Sequence, residues 1–308
     1  MEFAKVDRAL LNEIDFSLPA DGKYIDLLPK RNEETKFYLG APKWGIKEWK
    51  GMIYPEKTPD TKFLDHYIQS FNGIELNTTH YQIYPESTIL KWVEKVNLPE
   101  RQTGGKDFMF CPKFPQSVSH YSELTSVRAH EITDRFLASV INFGKHLGPL
   151  FLQLSDRYGP NKKAALFNYL ERLPKDLDIT LEVRHTDWFT APHRNELFDK
   201  LFELGIGSVI TDVSGRRDCA HMEVTSPVTL IRFIGNGLHP TDYLRIDEWV
   251  KRLAIWKTKG MKAIHFYVHQ PGEIHTPELT AYLIDRLNTE CGLDLEKPRF
   301  VEETGKLF

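Results

Sequence analysis

Short apolar runs recur along the chain at intervals too long for hairpins. They are Lys36–Gly40 (KFYLG), Gly73–Asn77 (GIELN), Phe108–Lys113 (FMFCPK), Leu150–Leu154 (LFLQL), Ile179–Arg184 (ITLEVR), Ser208–Asp212 (SVITD), Val228–Ile234 (VTLIRFI) and Ala263–His269 (AIHFYVH). Each has the length of a strand. Helical spacing fills most of the gaps. Phe136, Val140, Phe143 and Leu147 recur at i, i+4, i+7 and i+11, which predicts one helix face. Leu166, Leu170 and Leu173 repeat the pattern after the fourth run. Phe198, Leu201 and Phe202 follow the fifth and precede Gly205, a residue suited to ending that helix. Trp249, Leu253 and Trp256 follow the seventh run; Leu279, Leu283 and Leu287 follow the eighth. Residues 215–227 are too short and irregular for a full helix, so the weakest or missing one is expected there.

Strands alternating with helices predict a parallel α/β fold. A count of eight favours a closed, eight-stranded parallel (β/α)8 TIM barrel over an open doubly wound sheet, and roughly 250 residues suit such a barrel. The Rossmann alternative lacks its fingerprint, because no G-x-G-x-x-G opens the helix after the first run. No dinucleotide motif or Walker-type lysine loop is present, so no cofactor is indicated. The barrel is placed at residues 36–288. Residues 1–35 read as an N-terminal extension that wraps the barrel or is partly disordered, and residues 289–308 as a C-terminal tail.

Strand side chains alternate between two faces. In the second run Glu75 and Asn77 share a face opposite Ile74 and Leu76, and in the fifth Thr180, Glu182 and Arg184 oppose Leu181 and Val183. Asp212 lies with Ile210, Arg232 with Leu230, and His265, Tyr267 and His269 oppose Ile264, Phe266 and Val268. Lys113 and Gln153 close the third and fourth runs. The apolar faces suit helices, so the polar ones are expected to point inward, mostly at strand C-termini, where barrels keep their chemistry. Lys113, Arg184 and Arg232 would face Glu75, Glu182 and Asp212. Such charges can simply neutralise one another, but six from five strands exceed what packing requires.

The chain has 308 residues, with 40 Lys+Arg against 43 Asp+Glu and a formal charge of -3. No global field draws it to nucleic acid or an anionic membrane, so an anion site must be built locally. Its three cysteines are scattered, which excludes a disulfide framework or a clustered zinc site and points to a reducing, cytoplasmic setting. The first 35 residues are charged throughout, so no secretory leader is expected. No apolar run reaches the roughly 18 residues of a membrane span.

Glu75, Glu182 and Asp212 are the catalytic candidates, since neighbouring carboxylates in a barrel mouth can have their pKa values driven apart. Asn77, Tyr81, Lys113, Gln153, Arg184, His185, Trp188, Arg232 and His269 are the substrate-binding candidates. Arg184 offers a planar fork to a carboxylate or phosphate, with Trp188 as a pocket wall. Lys113, set between Pro112 and Pro115, would serve as an anion contact, as an electrostatic catalyst or, with its pKa lowered by burial, as a nucleophile. A plain salt bridge would account for Lys113 equally well, and the competing reading of Arg184 locks it to Glu182 or Glu75 while Trp188 packs the loop. Trp44, Trp49, Tyr54, Tyr81 and Tyr84 would stack sugar rings or bases, or else seal the mouth. His265 and His269, four apart on a strand, lie roughly 13 Å from each other and cannot grip one ion. His80, His185, His239, His269 and His275 could supply ligands with Glu182 or Asp212, but no H-E-x-x-H or paired-cysteine pattern calls for a metal.

Several of these residues sit in recognisable segments: GAPKWGIKEWKGMIYP (Gly40–Pro55), FNGIELNTTHYQIY (Phe71–Tyr84), FMFCPKFPQSVSH (Phe108–His120), LGPLFLQL (Leu147–Leu154), ITLEVRHTDWF (Ile179–Phe189) and LIRFIGN (Leu230–Asn236). In this order the chain resembles the domain of unknown function 72 family, the YecE-like proteins, over roughly residues 36–288. The resemblance implies a TIM barrel and no particular activity. Two features depart from it: HQPGEIHTPELTAYL after the last run, and the additional N-terminal residues. The expected function is therefore an enzyme of hydrolase or isomerase type, acting at the barrel mouth on a small anionic substrate, phosphorylated or sugar-containing. The competing expectation is a non-catalytic module that binds nucleotides or nucleic acid.

Overall fold

The computed structural model describes residues 4–97 and 107–301. The strands are β1 (Lys36–Gly40), β2 (Gly73–Leu76), β3 (Met109–Pro112), β4 (Leu150–Gln153), β5 (Ile179–Glu182), β6 (Gly207–Asp212), β7 (Val228–Ile234) and β8 (Ala263–His269). The helices are α1 (Phe63–Ser70), α2 (Glu86–Asn97), α3 (Gln116–Ser119), α4 (Val127–Val140), α5 (Lys163–Glu171), α6 (His193–Leu204), α7 (Pro240–Lys257) and α8 (Thr276–Cys291).

Among the described residues every strand pairing is parallel. Six strands form one ladder in the order β1-β8-β7-β6-β5-β4, and β2 pairs with β3 separately. The two pieces meet at two seams. Between β3 and β4, Gly148 N donates to Phe110 O at 2.8 Å and Phe114 N to Phe151 O at 2.9 Å. Between β1 and β2, Glu75 N reaches Ala41 O at 3.2 Å, and the Asn72 side chain stands in for missing ladder bonds, accepting from Leu39 N and donating to Phe37 O. Gly40 permits that approach, since a Cβ there would lie 1.9 Å from Gly73 O. The fold is thus α/β with a central parallel sheet, TIM-barrel-like in strand order, its regular ladder interrupted at the two seams.

The alternation of faces explains the packing. Outward residues of β4 and β5 (Leu150, Leu152, Ile179, Leu181) share one core with Leu166 and Leu170 of α5 and Leu197, Phe198 and Leu201 of α6. Ile231, Phe233, Ile264 and Phe266 share another with Trp249 and Leu253 of α7 and Leu279 and Leu283 of α8. The opposite faces contribute a small inner cluster of Cys111, Phe151, Val209, Leu230 and Tyr267.

Two helices end earlier than their apolar spacing predicts. The stripe through Phe143 and Leu147 leaves the α-helix at Val140; a 3-10 turn (Ile141–His146) follows, with Gly144 at φ 54. Leu173 lies past the end of α5. Gly205 ends α6 in the left-handed conformation, φ 69, as its position suggested. Between β6 and β7 only a 3-10 turn (Arg217–Cys219) forms, as expected. The N-terminal residues lie over this side instead. Gly215 N donates to Ala4 O and Gly22 N to Met222 O, both at 3.0 Å. Asp21 accepts from Trp256 Nε1 and Arg252 Nη1, while Ile25 and Leu28 enter the core around Trp249 and Trp256. At the other end Val301 N donates to Met52 O at 2.7 Å. Residues 1–3 of the extension and 302–308 of the tail lie outside the described residues. Among the described residues no helix is long and apolar enough to cross a membrane.

Candidate active site at the strand C-termini

All five members of the inner cluster precede a polar residue by two positions: Cys111 and Lys113, Phe151 and Gln153, Val209 and Thr211, Leu230 and Arg232, Tyr267 and His269. Two residues advance a strand by roughly 6–7 Å on the same face. An apolar layer therefore sits beneath a polar one at the C-terminal end.

Within the polar layer Arg232 is the hub. Its Nε and Nη2 donate to Glu75 Oε2 and Oε1 at 2.9 and 3.0 Å, and its Nη1 donates to Glu182 Oε2 at 3.2 Å. Asn77 Nδ2 donates to Glu75 Oε1 at 2.8 Å, and His269 Nε2 donates to Glu75 Oε2 at 3.0 Å. Arg184 Nε donates to Glu182 Oε1 at 2.7 Å. Gln153 Nε2 donates to Glu182 Oε2 at 2.6 Å, so its Oε1 is aimed at Lys113, whose Nζ donates to it at 2.8 Å. Lys113 and Arg232 both stand over the Phe151 ring, at 5.4 and 5.2 Å from its centroid. Glu75, Glu182, Arg232, His269, Gln153 and Lys113 are all buried, with Lys113 the most open at 7%.

The electrostatics separate these groups. Burial pushes the Glu182 carboxyl up, but Arg184 and Arg232 overcome it and hold it at about 2. Burial acts likewise on Glu75, which Arg232 and His269 hold well below the usual range. The two carboxyls are therefore both ionised, rather than driven apart as their proximity alone suggested. Arg232 loses by burial and gains more from Glu75 and Glu182, so it stays charged. Lys113 goes the other way. Burial, then Arg232, outweigh Glu75 and Glu182 and bring its ammonium down to about 7. Burial and then Lys113 also lower His80, to about 4, and His120. His80 Nδ1 donates to Phe114 O at 2.7 Å, leaving Nε2 as the lone-pair nitrogen of its neutral ring. Its ring meets that of His120 at 5.1 Å.

Asp212 is not brought to this cluster. The inference from its polarity that it points inward is corrected by its partners: it shares the outward face of β6 with Ile210, where Trp249 Nε1 donates to Oδ2 at 2.7 Å and Arg217 and Arg245 pair with it. Charge from the α7 side explains a polar residue on a helix-facing surface. Trp188 is fully buried and donates to Tyr158 O at 2.7 Å, so it packs the loop. His185 Nδ1 accepts from Asp187 N and caps the 3-10 turn after β5. Tyr81 is 74% exposed, edge-on to His80. Trp49 and Tyr54 are buried against each other, and Trp44 and Tyr84 meet Trp92 edge-on.

Sequence reasoning missed Phe151, His120 and Thr211. Phe151 was readable, because it shares the face of Gln153. Thr211 Oγ1, beside Arg232 in the β6–β7 register, and His269 Nδ1 are buried without a hydrogen-bond partner among the described residues. No three His, Cys, Asp or Glu side chains gather as a metal would require among the described residues. A separate cavity of about 660 Å³ opens at the N-terminal end of the strands, lined by Lys36, Tyr38, Met109, Asp178, Lys262 and His265 among others.

Residues 38–301 match the pattern of the family described as "Protein of unknown function DUF72". The chain is 26% identical to the UPF0759 protein YecE of Escherichia coli (strain K12) over 269 residues, 81% of this chain and 92% of that one. It is 27% identical to the UPF0759 protein YunF of Bacillus subtilis over 160 residues, about half of each. Among solved structures, a DUF72 family protein from Enterococcus faecalis superposes with a TM-score of 0.63 at 18% identity, covering 85% of this chain and 98% of the other. Another from Thermotoga maritima gives 0.58 at 19%, covering 82% and 98%.

Proposed function

This chain belongs to the DUF72 family, and from its barrel mouth we propose that it is an enzyme whose working group is the Lys113 amine. The substrate is a small anionic molecule, phosphorylated or sugar-containing, and the chemistry is of isomerase or hydrolase type. One observation carries the reading: a buried lysine at a strand C-terminus, brought by burial and Arg232 to about 7, with a neutral carboxamide as its hydrogen-bond partner. A base poised near the working pH is the state proton transfer needs. Glu75 and Glu182 serve in this reading as fixed negative charge that holds Arg232 and Arg184, and Asn77, Gln153 and His269 orient them. Arg184, two residues beyond Glu182 on β5, stands nearer the lip for an anionic group.

The test is a screen of the purified chain against sugar phosphates, other phosphoesters and glycosides, with and without divalent metals. Turnover lost in Lys113→Met is the expected result. Binding of nucleotides or nucleic acid without any turnover would overturn it in favour of a binding module.

A further inference from the structure

Resting on that reading, we propose that Lys113 works covalently: its amine condenses with the carbonyl carbon of a phosphorylated aldehyde or ketone to give an imine at the C-terminal mouth. The geometry suits a nucleophile better than a structural cation. Among the described residues no carboxylate lies within ion-pair distance of Lys113, so its deprotonation breaks no salt bridge. Gln153 is pinned from behind by Glu182, which fixes the carbonyl oxygen that receives one Lys113 N–H. A neutral amine donating one N–H keeps its lone pair for an electrophile. Phe151 closes the floor below it.

Charged and titratable groups face the amine from several elements: Glu75 on β2, Glu182 and Arg184 at β5, Arg232 on β7, and His80 and His120 from the loops after β2 and β3. Glu75, Glu182, Arg184 and Arg232 bring two negative and two positive charges, so an ammonium would add an uncompensated positive one. Its neutral form balances the site.

The step needs no further reactant. The lone pair forms a C–N bond and the carbonyl π pair moves to oxygen. A proton passes from nitrogen to that oxygen, giving a carbinolamine. The C–O bond then breaks, water leaves with a second proton, and the imine remains. His80, held through Nδ1 by Phe114 O and within the electrostatic reach of Lys113, keeps an acceptor Nε2 on a neutral ring and is assigned in this proposal to carry these protons.

The experiment incubates the full chain with glycolaldehyde phosphate, or with unphosphorylated glycolaldehyde, adds sodium borohydride, and maps the reduced adduct by peptide mass spectrometry. We expect one adduct, on Lys113, formed about tenfold faster with the phosphorylated probe and falling about 25-fold between pH 7.5 and 5.5 as the amine is protonated. Lys113→Met and Lys113→Arg should both lose it. No adduct, or labelling spread over surface lysines, overturns imine formation, and mapping on the unmutated chain keeps this outcome readable even if a variant folds poorly. Turnover of a phosphorylated substrate without an adduct would sink the imine alone. Neither binding nor turnover of any anionic substrate would sink the proposed function with it.

Discussion

Arg232 holds Glu75 through two parallel hydrogen bonds, at 2.9 and 3.0 Å, where neither side chain is more than 1% exposed. The third edge of the same guanidinium reaches Glu182. One cation from β7 thereby ties β2 to β5. A planar fork is suited to this, and an ammonium in its place would lack the second parallel bond.

Removing that fork leaves two carboxylates buried with too little compensation. Arg232→Met should lower stability by about 3–5 kcal/mol, the usual cost of breaking a buried pair from one side. Urea denaturation would measure it. A loss under about 1 kcal/mol would mean that water reaches Glu75 and Glu182 in the folded protein.

For a reaction that needs the neutral amine, kcat/KM should rise with pH and level off above about 7, with a tenfold loss per pH unit below it. Glu182 raises the Lys113 pKa, so Glu182→Gln should move this limb to lower pH. The same variant should cost about 1–4 kcal/mol by leaving Arg184 and Arg232 short of a partner. Melting temperatures and pH–rate profiles of wild type, Glu182→Gln and Arg184→Met distinguish the two effects. An unmoved limb would remove Lys113 from the chemistry.

Acid should weaken the fold through the same carboxylate. Glu182 titrates at about 2 when folded and at about 4.3 when unfolded, so the unfolded chain binds more protons between these values. The stability from its pairing is complete above about pH 4.3 and is lost as pH falls through about 2. Lys113, also lowered by folding, adds a second window: stability rises from about pH 7 toward 10.4 as the unfolded ammonium alone keeps its proton. Denaturation at stepped pH checks both, Glu182→Gln flattening the acid slope and Lys113→Met the alkaline one.

The cluster behind β6 offers a contrast. Arg245 is fully buried, pairs with Asp212 and Asp242, and lies 4.2 Å from the Phe233 ring centroid. Arg245→Met should cost about 3–5 kcal/mol, while borohydride labelling of Lys113 per folded molecule stays unchanged. Reduced labelling would mean that the two charge clusters communicate.

The strands were legible because period-two alternation reports burial directly: Leu181 and Ile231 went outward and Glu182 and Arg232 inward as their neighbours required. Asp212 escaped that rule. Its own face was assigned correctly beside Ile210, yet polarity was read as inwardness, and the reason it faces a helix lies in Arg245 on α7, 33 positions away. The separation of roles within the mouth was equally hidden. Glu75 and Glu182 stay ionised because of the cations each one touches, while Lys113 approaches neutrality through its burial first and Arg232 second, and strand order carries none of that information. Helix ends were blurred because an apolar stripe continues smoothly into a 3-10 turn, as at Phe143.

Synthesis imposes an order on the segment that covers the gap between β6 and β7. Residues 4–28 emerge from the ribosome about two hundred residues ahead of the groups they bind, Gly215, Met222 and Trp256. At the usual pace of translation they wait roughly 10–40 s with Tyr24, Ile25 and Leu28 uncovered. During that interval this apolar stretch is available to a chaperone, and its docking waits until β6, β7 and α7 have been made.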